Sequence, residues 1–158
     1  MSTSDPVILV DRTITTSTPV AAVFAFIANH QNYALWFPGV IDIRSDDSLP
    51  HGTVGKTYHE TLRLPSGRQQ VIDIPVVESV FPSRFVTEGR FPPLHPRMEM
   101  TLEPLPDGGT RLRWRFMSRN RSPIGRLLVR LLLRPAMSRR SRVAARRLTA
   151  RLADLPAD

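Results

Sequence analysis

The chain contains no cysteine. A disulfide framework, a thiolate nucleophile and a thiolate metal ligand are therefore excluded. The four histidines show no spacing typical of zinc ligands, so we expect neither a metal nor another cofactor. They are His30, His51, His59 and His95. A chain without thiols suits a reducing compartment, and we expect the protein to be cytoplasmic.

Long hydrophobic runs are also missing. The most apolar segment, Ile124 to Leu133, has about half of the ~20 residues that a membrane span needs, and two arginines interrupt it. The opening MSTSDPVILVD has neither the basic stretch nor the apolar run of a signal peptide. We therefore expect no transmembrane helix and no export signal.

What the chain does contain is a series of short strand patterns separated by turn residues. Its 158 residues, 41% of them hydrophobic, suit one ordinary domain, and we expect a single domain over 1–158. The strand patterns are separated by the proline or glycine that turns require, and such short links favour antiparallel neighbours. We predict strands at 7–17, 40–45, 56–64, 69–79, 84–91, 97–102 and 110–118.

Two short helices are predicted between the first and second strands. Thr18 fits the N-cap of the first helix and Pro19 its first residue, and the helix should end near Asn29. The segment NYALWFPGV, residues 32–40, fits a second helix that Pro38 ends.

A long amphipathic helix is predicted at the C-terminal end, opened by Ser122 and Pro123. Arginines 126, 130 and 134 fall opposite its apolar stripe, and Pro135 should kink it. An apolar sheet face needs a cover, so we expect this stripe to pack on the sheet. The stripe consists of Ile124, Leu127, Leu128, Leu131 and Leu132.

Three segments in this order resemble the polyketide cyclase/dehydrase and lipid transport branch of the START-like, or SRPBCC, superfamily. They are ITTSTPVAAVFAFIAN, NYALWFPGV and VVESVFPSRF. The resemblance implies an α+β helix-grip fold, in which a seven-stranded curved antiparallel sheet surrounds a long C-terminal helix and encloses an apolar cavity. It also implies that Tyr33, Trp36 and Phe37 lie at the cavity entrance or end wall; plain core packing of these aromatic residues is the alternative.

Strand alternation predicts further cavity residues. Met98, Met100, Trp114 and Phe116 fall on the apolar parity, and with Leu128 and Leu132 of the helix they should contact a ligand. The opposite parity carries a predicted ladder of surface ion pairs. Its members are Arg97, Glu99, Glu103, Arg111, Arg113 and Arg115.

Glu60 is a carboxylate on an otherwise apolar strand face, which it shares with Tyr58. Such a group needs a partner or takes up a proton, and it is a candidate general acid or base. Arg12 shares the apolar parity of the first strand and could bind an oxyanion or pair with an acid. A bulge or twist that brings Glu60 and Arg12 to solvent is the alternative. His59 and Asp73 should make a surface cross-strand contact.

Three functions fit these patterns. The first is binding of a hydrophobic small molecule, a lipid or polyketide-like compound. The second is an aromatase/cyclase or dehydrase, with Glu60, Tyr58 or Arg12 shuttling protons. The third is association with an anionic membrane, because residues 119–158 carry 11 basic and 2 acidic groups. The leucine stripe, if packed on the sheet, argues against the third, and a solvated basic face without a partner is the simpler alternative. Nucleic acid is not expected because no aromatic residues lie among these arginines; the oligomeric state stays open.

Overall fold

Seven antiparallel strands form one curved sheet, as predicted, and a long C-terminal helix lies against it. The structure, a computed structural model, describes residues 5–156. The strands are β1 (Val7–Thr16), β2 (Val40–Arg44), β3 (Thr57–Arg63), β4 (Gln69–Val80), β5 (Arg84–Glu88), β6 (Pro96–Pro104) and β7 (Thr110–Ser118). They are ordered β1-β7-β6-β5-β4-β3-β2.

The helices also follow the predicted order. Helix α1 (Val20–Ala28), a 3-10 turn (His30–Asn32) and α2 (Tyr33–Trp36) connect β1 to β2. The C-terminal helix consists of α3 (Pro123–Leu128), a π-helical turn (Val129–Leu133) and α4 (Arg134–Ala153). Within residues 5–156, no helix combines the length and the hydropathy that crossing a bilayer requires.

The start of α1 differs from the prediction by one residue. Pro19, not Thr18, is the N-cap, and no side chain caps this helix. Thr18 is buried, and its hydroxyl donates a hydrogen bond of 2.6 Å to the carbonyl of Leu152. Since a hydroxyl can serve either a local cap or a distant acceptor, this threonine ties the end of the C-terminal helix to the loop after β1.

A bulge changes the faces of β1. The pairing of β1 with β7 shifts between Ile8 and Val10, so that Leu9 and Val10 are both buried while Ile8 is exposed. Simple alternation would place Ile8 and Val10 on the same face. The extra residue of a bulge breaks the period of two, and Val7 and Leu9 instead pack with Val129 of the C-terminal helix.

The C-terminal helix begins as predicted: the Ser122 hydroxyl accepts from the backbone N–H of Gly125, and Pro123 is in the first turn. Its contact face, however, is not the leucine stripe. Gly125 and Val129 are buried, whereas the five stripe residues are between 43% and 74% exposed. The expectation that the stripe packs on the sheet is therefore wrong. Ala144, Leu148 and Leu152 of α4 fill the core instead, so the first half of the helix is not needed to cover it.

The outer face of the sheet carries the predicted ladder. Arg97 contacts Glu88 and Glu99, and Arg113 donates two hydrogen bonds, of 2.9 and 2.7 Å, to the carboxylate of Asp11. Arg113 and Asp11 are partly exposed, so this pair contributes about 1 kcal/mol or less. Arg97, Glu88 and Glu99 are more deeply buried.

Candidate ligand-binding cavity

A cavity of about 500 Å³ lies between the sheet and the C-terminal helix. Apolar side chains dominate the walls of the cavity, and the loop between β5 and β6 forms one side of the cavity. Its lining includes Tyr33, Phe37, Glu60, Leu62, Ile72, Ile74, Thr87, Phe91, Leu94, Met98, Phe116, Leu128, Leu132, Met137 and Arg140. Leu128 and Leu132 are 43% and 67% exposed, so the cavity opens to solvent beside the C-terminal helix.

Two stacked aromatic rings from the short helix α2 form part of the wall. The rings of Tyr33 and Phe37 are 4.9 Å apart at an angle of 13°. Positions i and i+4 share a helix face, which is why one helical turn is enough to align them. Pro38 and Gly39 end the turn, and Gly39 adopts φ of 93°, a conformation that favours glycine.

Trp36 and Trp114 do not line the cavity, contrary to the prediction. Their rings meet edge to face at 5.1 Å, and both side chains are almost fully buried in the core. Met100, which pairs with Trp114 across β6 and β7, is also fully buried and outside the lining. Alternation identifies the inner face of a strand, but it does not distinguish packed core from open cavity on that face.

Tyr58 and Arg12 also lie outside the lining. The Tyr58 hydroxyl is 2.7 Å from Nδ1 of His51, and burial raises its pKa to about 12. Arg12 donates through Nε to the Ser141 hydroxyl at 3.0 Å, so the guanidinium anchors β1 to the C-terminal helix. Neither group is positioned for proton transfer to a ligand in this cavity.

Glu60 does line the cavity, and its side chain is buried with a polar partner instead of being turned to solvent by a bulge. The partner is His30: Oε2 of Glu60 lies 3.2 Å from Nε2 of the imidazole. An ionised carboxylate only accepts hydrogen bonds, so Nε2 carries the proton when Glu60 is charged. Nδ1 of His30 is buried and has no hydrogen-bond partner among residues 5–156.

The Tyr33 ring packs against this pair. It stacks on His30 at 5.0 Å, and burial, with the nearby charge of Glu60, raises the pKa of Tyr33 well above its ordinary value of 10.0. The phenol therefore stays protonated at physiological pH and can donate a hydrogen bond. Glu60, His30 and Tyr33 together form a polar cluster in an apolar wall, which we call the inner cluster.

Two arginines lie at the exposed edge of the cavity. Arg63 follows Leu62 at the end of β3, and Arg140 comes from α4. Neither forms an ion pair with another of the described residues 5–156. Arg140 packs against Gly39, where a Cβ atom would lie 3.2 Å from Nη1. The glycine thus leaves room for the guanidinium, and we call Arg63 and Arg140 the rim arginines.

Sequence reasoning missed His30, Phe91 and the rim arginines. The isolated carboxylate of Glu60 called for a partner, but His30 is 30 positions away and no local pattern connects them. Phe91 was the last residue of the predicted strand 84–91, but β5 ends at Glu88 and Phe91 belongs to the proline-rich loop before β6. No local pattern distinguishes Arg63 of β3 or Arg140 of α4 from the many other arginines of the chain.

Two other polar pairs, His59 with Asp73 and Lys56 with Asp47, lie away from the cavity. His59 and Asp73 make the predicted cross-strand contact at 2.8 Å, and Asp73 and Asp46 raise the pKa of His59. Lys56 is buried and donates to Asp47 at 2.7 Å. Among residues 5–156, no three His, Asp or Glu side chains are grouped as metal ligands would be.

Comparison with solved structures finds the same fold in several proteins. The di-domain ARO/CYC StfQ from the steffimycin biosynthetic pathway is 13% identical with a TM-score of 0.65, and the match covers 91% of this chain and 50% of StfQ. The di-domain ARO/CYC BexL from the BE-7585A pathway is 17% identical with a TM-score of 0.66, covering 93% and 50%. This chain thus spans half the length of either di-domain protein.

A protein of unknown function from Staphylococcus aureus is 14% identical with a TM-score of 0.63, and the match covers 90% of this chain and 93% of that protein. At these identities the likeness shows the fold. No curated protein matches the chain significantly. The model of the family described as polyketide cyclase / dehydrase and lipid transport matches residues 7–153, nearly the whole chain. With its curved sheet and long C-terminal helix, the chain is a helix-grip protein that belongs to this START-like family.

Proposed function

We propose that the protein binds an amphipathic small molecule, a lipid or a polyketide-like compound, in the cavity. The observation that carries this proposal is the apolar space of about 500 Å³ between the sheet and the C-terminal helix. Its size lies within the range of about 300–1,000 Å³ typical of small-molecule sites. The family membership and the ARO/CYC neighbours support a hydrophobic ligand.

The polar groups of the cavity suggest how such a ligand is oriented. The inner cluster offers a phenol donor in Tyr33 and a carboxylate acceptor in Glu60, which suit a hydroxyl or carbonyl on the ligand. The rim arginines suit a carboxylate or phosphate at the other end. The apolar walls between them fit a hydrocarbon or fused-ring body, and Met98 and Met137 adapt to its shape.

The direct test is native mass spectrometry of the protein as purified, followed by solvent extraction of any bound molecule. An Ala136→Trp variant places an indole in the cavity opening, and it should lose most of the bound ligand. An Ala150→Trp variant adds the same ring to an exposed site of the same helix outside the cavity, so it should keep the ligand. Equal occupancy in the two variants would exclude the cavity as the binding site.

A second candidate function is an aromatase/cyclase or dehydrase, and the inner cluster favours it. In a dehydration, a base removes the proton next to a carbonyl, an acid protonates the departing hydroxyl, and water leaves as the C=C bond forms. The Glu60 carboxylate could accept the first proton, while Tyr33 stays protonated and could donate the second. Tyr58 and Arg12, the other predicted proton carriers, lie outside the lining and are not included.

A Glu60→Gln variant tests this second candidate with a β-hydroxy-ketone substrate mimic. Loss of turnover with unchanged binding of the mimic would support proton transfer by Glu60. Binding without turnover in the wild-type protein would leave binding as the function.

The single domain over 1–158 and the cytoplasmic location stay predictions, which limited proteolysis and cell fractionation would test.

A further inference from the structure

An exposed aliphatic stripe runs along the first half of the C-terminal helix. It consists of Ile124, Leu127, Leu128, Leu131 and Leu132, whose exposed fractions are 74%, 55%, 43%, 63% and 67%. Gly125 and Val129 hold this part of the helix against the protein body, so the stripe faces away from the core. Scattered apolar residues on a surface are normal, but five on one helix face form a contiguous patch that indicates an interaction site.

The charge around the stripe is of one sign. Residues 123–153 contain nine arginines and no aspartate or glutamate. Arg130 and Arg134 lie in the same segment as the stripe and are exposed. A surface that combines aliphatic side chains with unopposed arginines is complementary to an apolar layer bounded by negative charge, which describes an anionic lipid bilayer.

Other occupants fit less well. In a two-fold dimer formed through the stripe, arginine-rich helices without acidic residues would face each other and repel. Nucleic acid would neutralise the arginines but leave the five aliphatic side chains in water, and no aromatic residue lies between 117 and 158 to stack on bases. A bilayer needs no matching pocket, because acyl chains adapt to side chains that project from a helix.

We propose that the C-terminal helix docks on anionic membranes through the aliphatic stripe and its arginines, with the cavity opening beside the bilayer. The helix lies in the interface plane, with the stripe among the upper acyl carbons and the guanidinium groups among the headgroups. Leu128 and Leu132 belong both to the stripe and to the cavity lining, so the docked opening adjoins the acyl layer. Docking itself does not depend on what the cavity binds.

The test is sedimentation with vesicles of phosphatidylcholine alone or mixed equally with phosphatidylglycerol, at low and high salt. We expect binding to the anionic vesicles at low salt and weakening at high salt. An Ile124→Ser, Leu127→Ser, Leu131→Ser triple variant changes stripe residues outside the cavity lining. It should bind the anionic vesicles about tenfold more weakly or worse. A Val71→Ser, Phe81→Ser variant, which removes exposed apolar groups elsewhere, should bind like the wild type.

A matched pair of double variants tests how much the arginines contribute to vesicle binding. Arg130→Gln with Arg134→Gln should weaken binding several-fold, whereas Arg44→Gln with Arg68→Gln removes the same charge from the strand side and should have little effect. No binding of the wild type at low salt, or equal binding of wild type and triple variant, would overturn the proposal. So would a stripe-dependent dimer seen by sedimentation velocity without vesicle binding. Native mass spectrometry of the triple variant separates this outcome from failure of the cavity function, because its cavity lining is intact.

Discussion

Nε2 of His30 lies 3.2 Å from Oε2 of Glu60, and the two side chains are 3% and 7% exposed. The contact joins the 3-10 turn that precedes α2 to the middle of β3, across 30 positions of sequence. It therefore fixes the aromatic wall of the cavity relative to the sheet. A buried polar pair of this kind is costly to break on one side only, since the remaining group loses its partner and cannot reach water.

Replacing Glu60 by alanine should therefore lower the free energy of unfolding by about 1–3 kcal/mol. Glu60→Gln should cost less, because the amide oxygen can still accept from Nε2. Urea unfolding of Glu60→Ala, His30→Phe and the double variant gives the coupling energy of the pair. A coupling energy near zero would show that the contact does not stabilise the fold.

Ligand affinity should respond to Phe37 and not to Trp36. Trp36 packs on Trp114 in the closed core, so Trp36→Phe should lower stability by about 1–3 kcal/mol and leave the affinity unchanged. Phe37→Leu removes a stacked ring from the cavity wall and should weaken binding of an apolar fluorophore about two- to tenfold. Fluorescence titration measures both affinities. The opposite ranking would place the ligand against the tryptophans.

The rim arginines should distinguish charged from neutral ligands. Arg140→Gln should weaken binding of a long-chain fatty acid about two- to fivefold, which is the usual size of an exposed ionic contact. Binding of the fatty alcohol of the same length should not change. Displacement of a fluorophore measures both ligands, and the difference should diminish at high salt. An equal loss for acid and alcohol would assign Arg140 a purely structural role.

The protein should lose stability in acid because the Asp47 carboxylate becomes protonated. The hydrogen bond from Lys56 is the main cause that lowers the pKa of Asp47 from its usual 3.8 to about 2. The folded state thus binds a proton less readily than the unfolded state, so this stabilisation is complete above pH ~4 and is lost between about 4 and 2. The melting temperature of an Asp47→Asn variant should therefore depend less on pH in this range than that of the wild type. An Asp47→Asn variant that keeps the wild-type slope would contradict this assignment.

The order of the elements was predictable because its signals are local. Most links between strands contain a proline or glycine, and Ser122 with Pro123 marks the start of the C-terminal helix within two residues. It was harder to predict which residues of each strand face the interior. A period of two held along β6 and along β7 as far as Trp114, but the bulge after Ile8 cannot be read from side-chain types alone.

The candidate site depended on non-local contacts and was predicted less well. Periodicity showed that the five stripe residues share a helix face, but not whether that face meets the sheet or solvent. The sheet is already covered by Leu148 and Leu152, which lie about four to six turns beyond Leu132 in the C-terminal helix. Glu60 was identifiable as an unusual inward carboxylate, whereas its partner His30 required the folded chain.

The π-helical turn at Val129–Leu133 allows both halves of the C-terminal helix to bury side chains on the same side. It ends two residues before Pro135, whose missing N–H cannot complete an α-helical ladder. In an uninterrupted α-helix, Val129 and Leu148 would point about 100° apart, since 19 positions exceed five full turns by about one residue. A π turn takes up about that one extra residue, which brings both side chains to the same azimuth, where both are fully buried. The π-helical turn thus compensates for the extra residue, so that the two parts of the helix bury the same side.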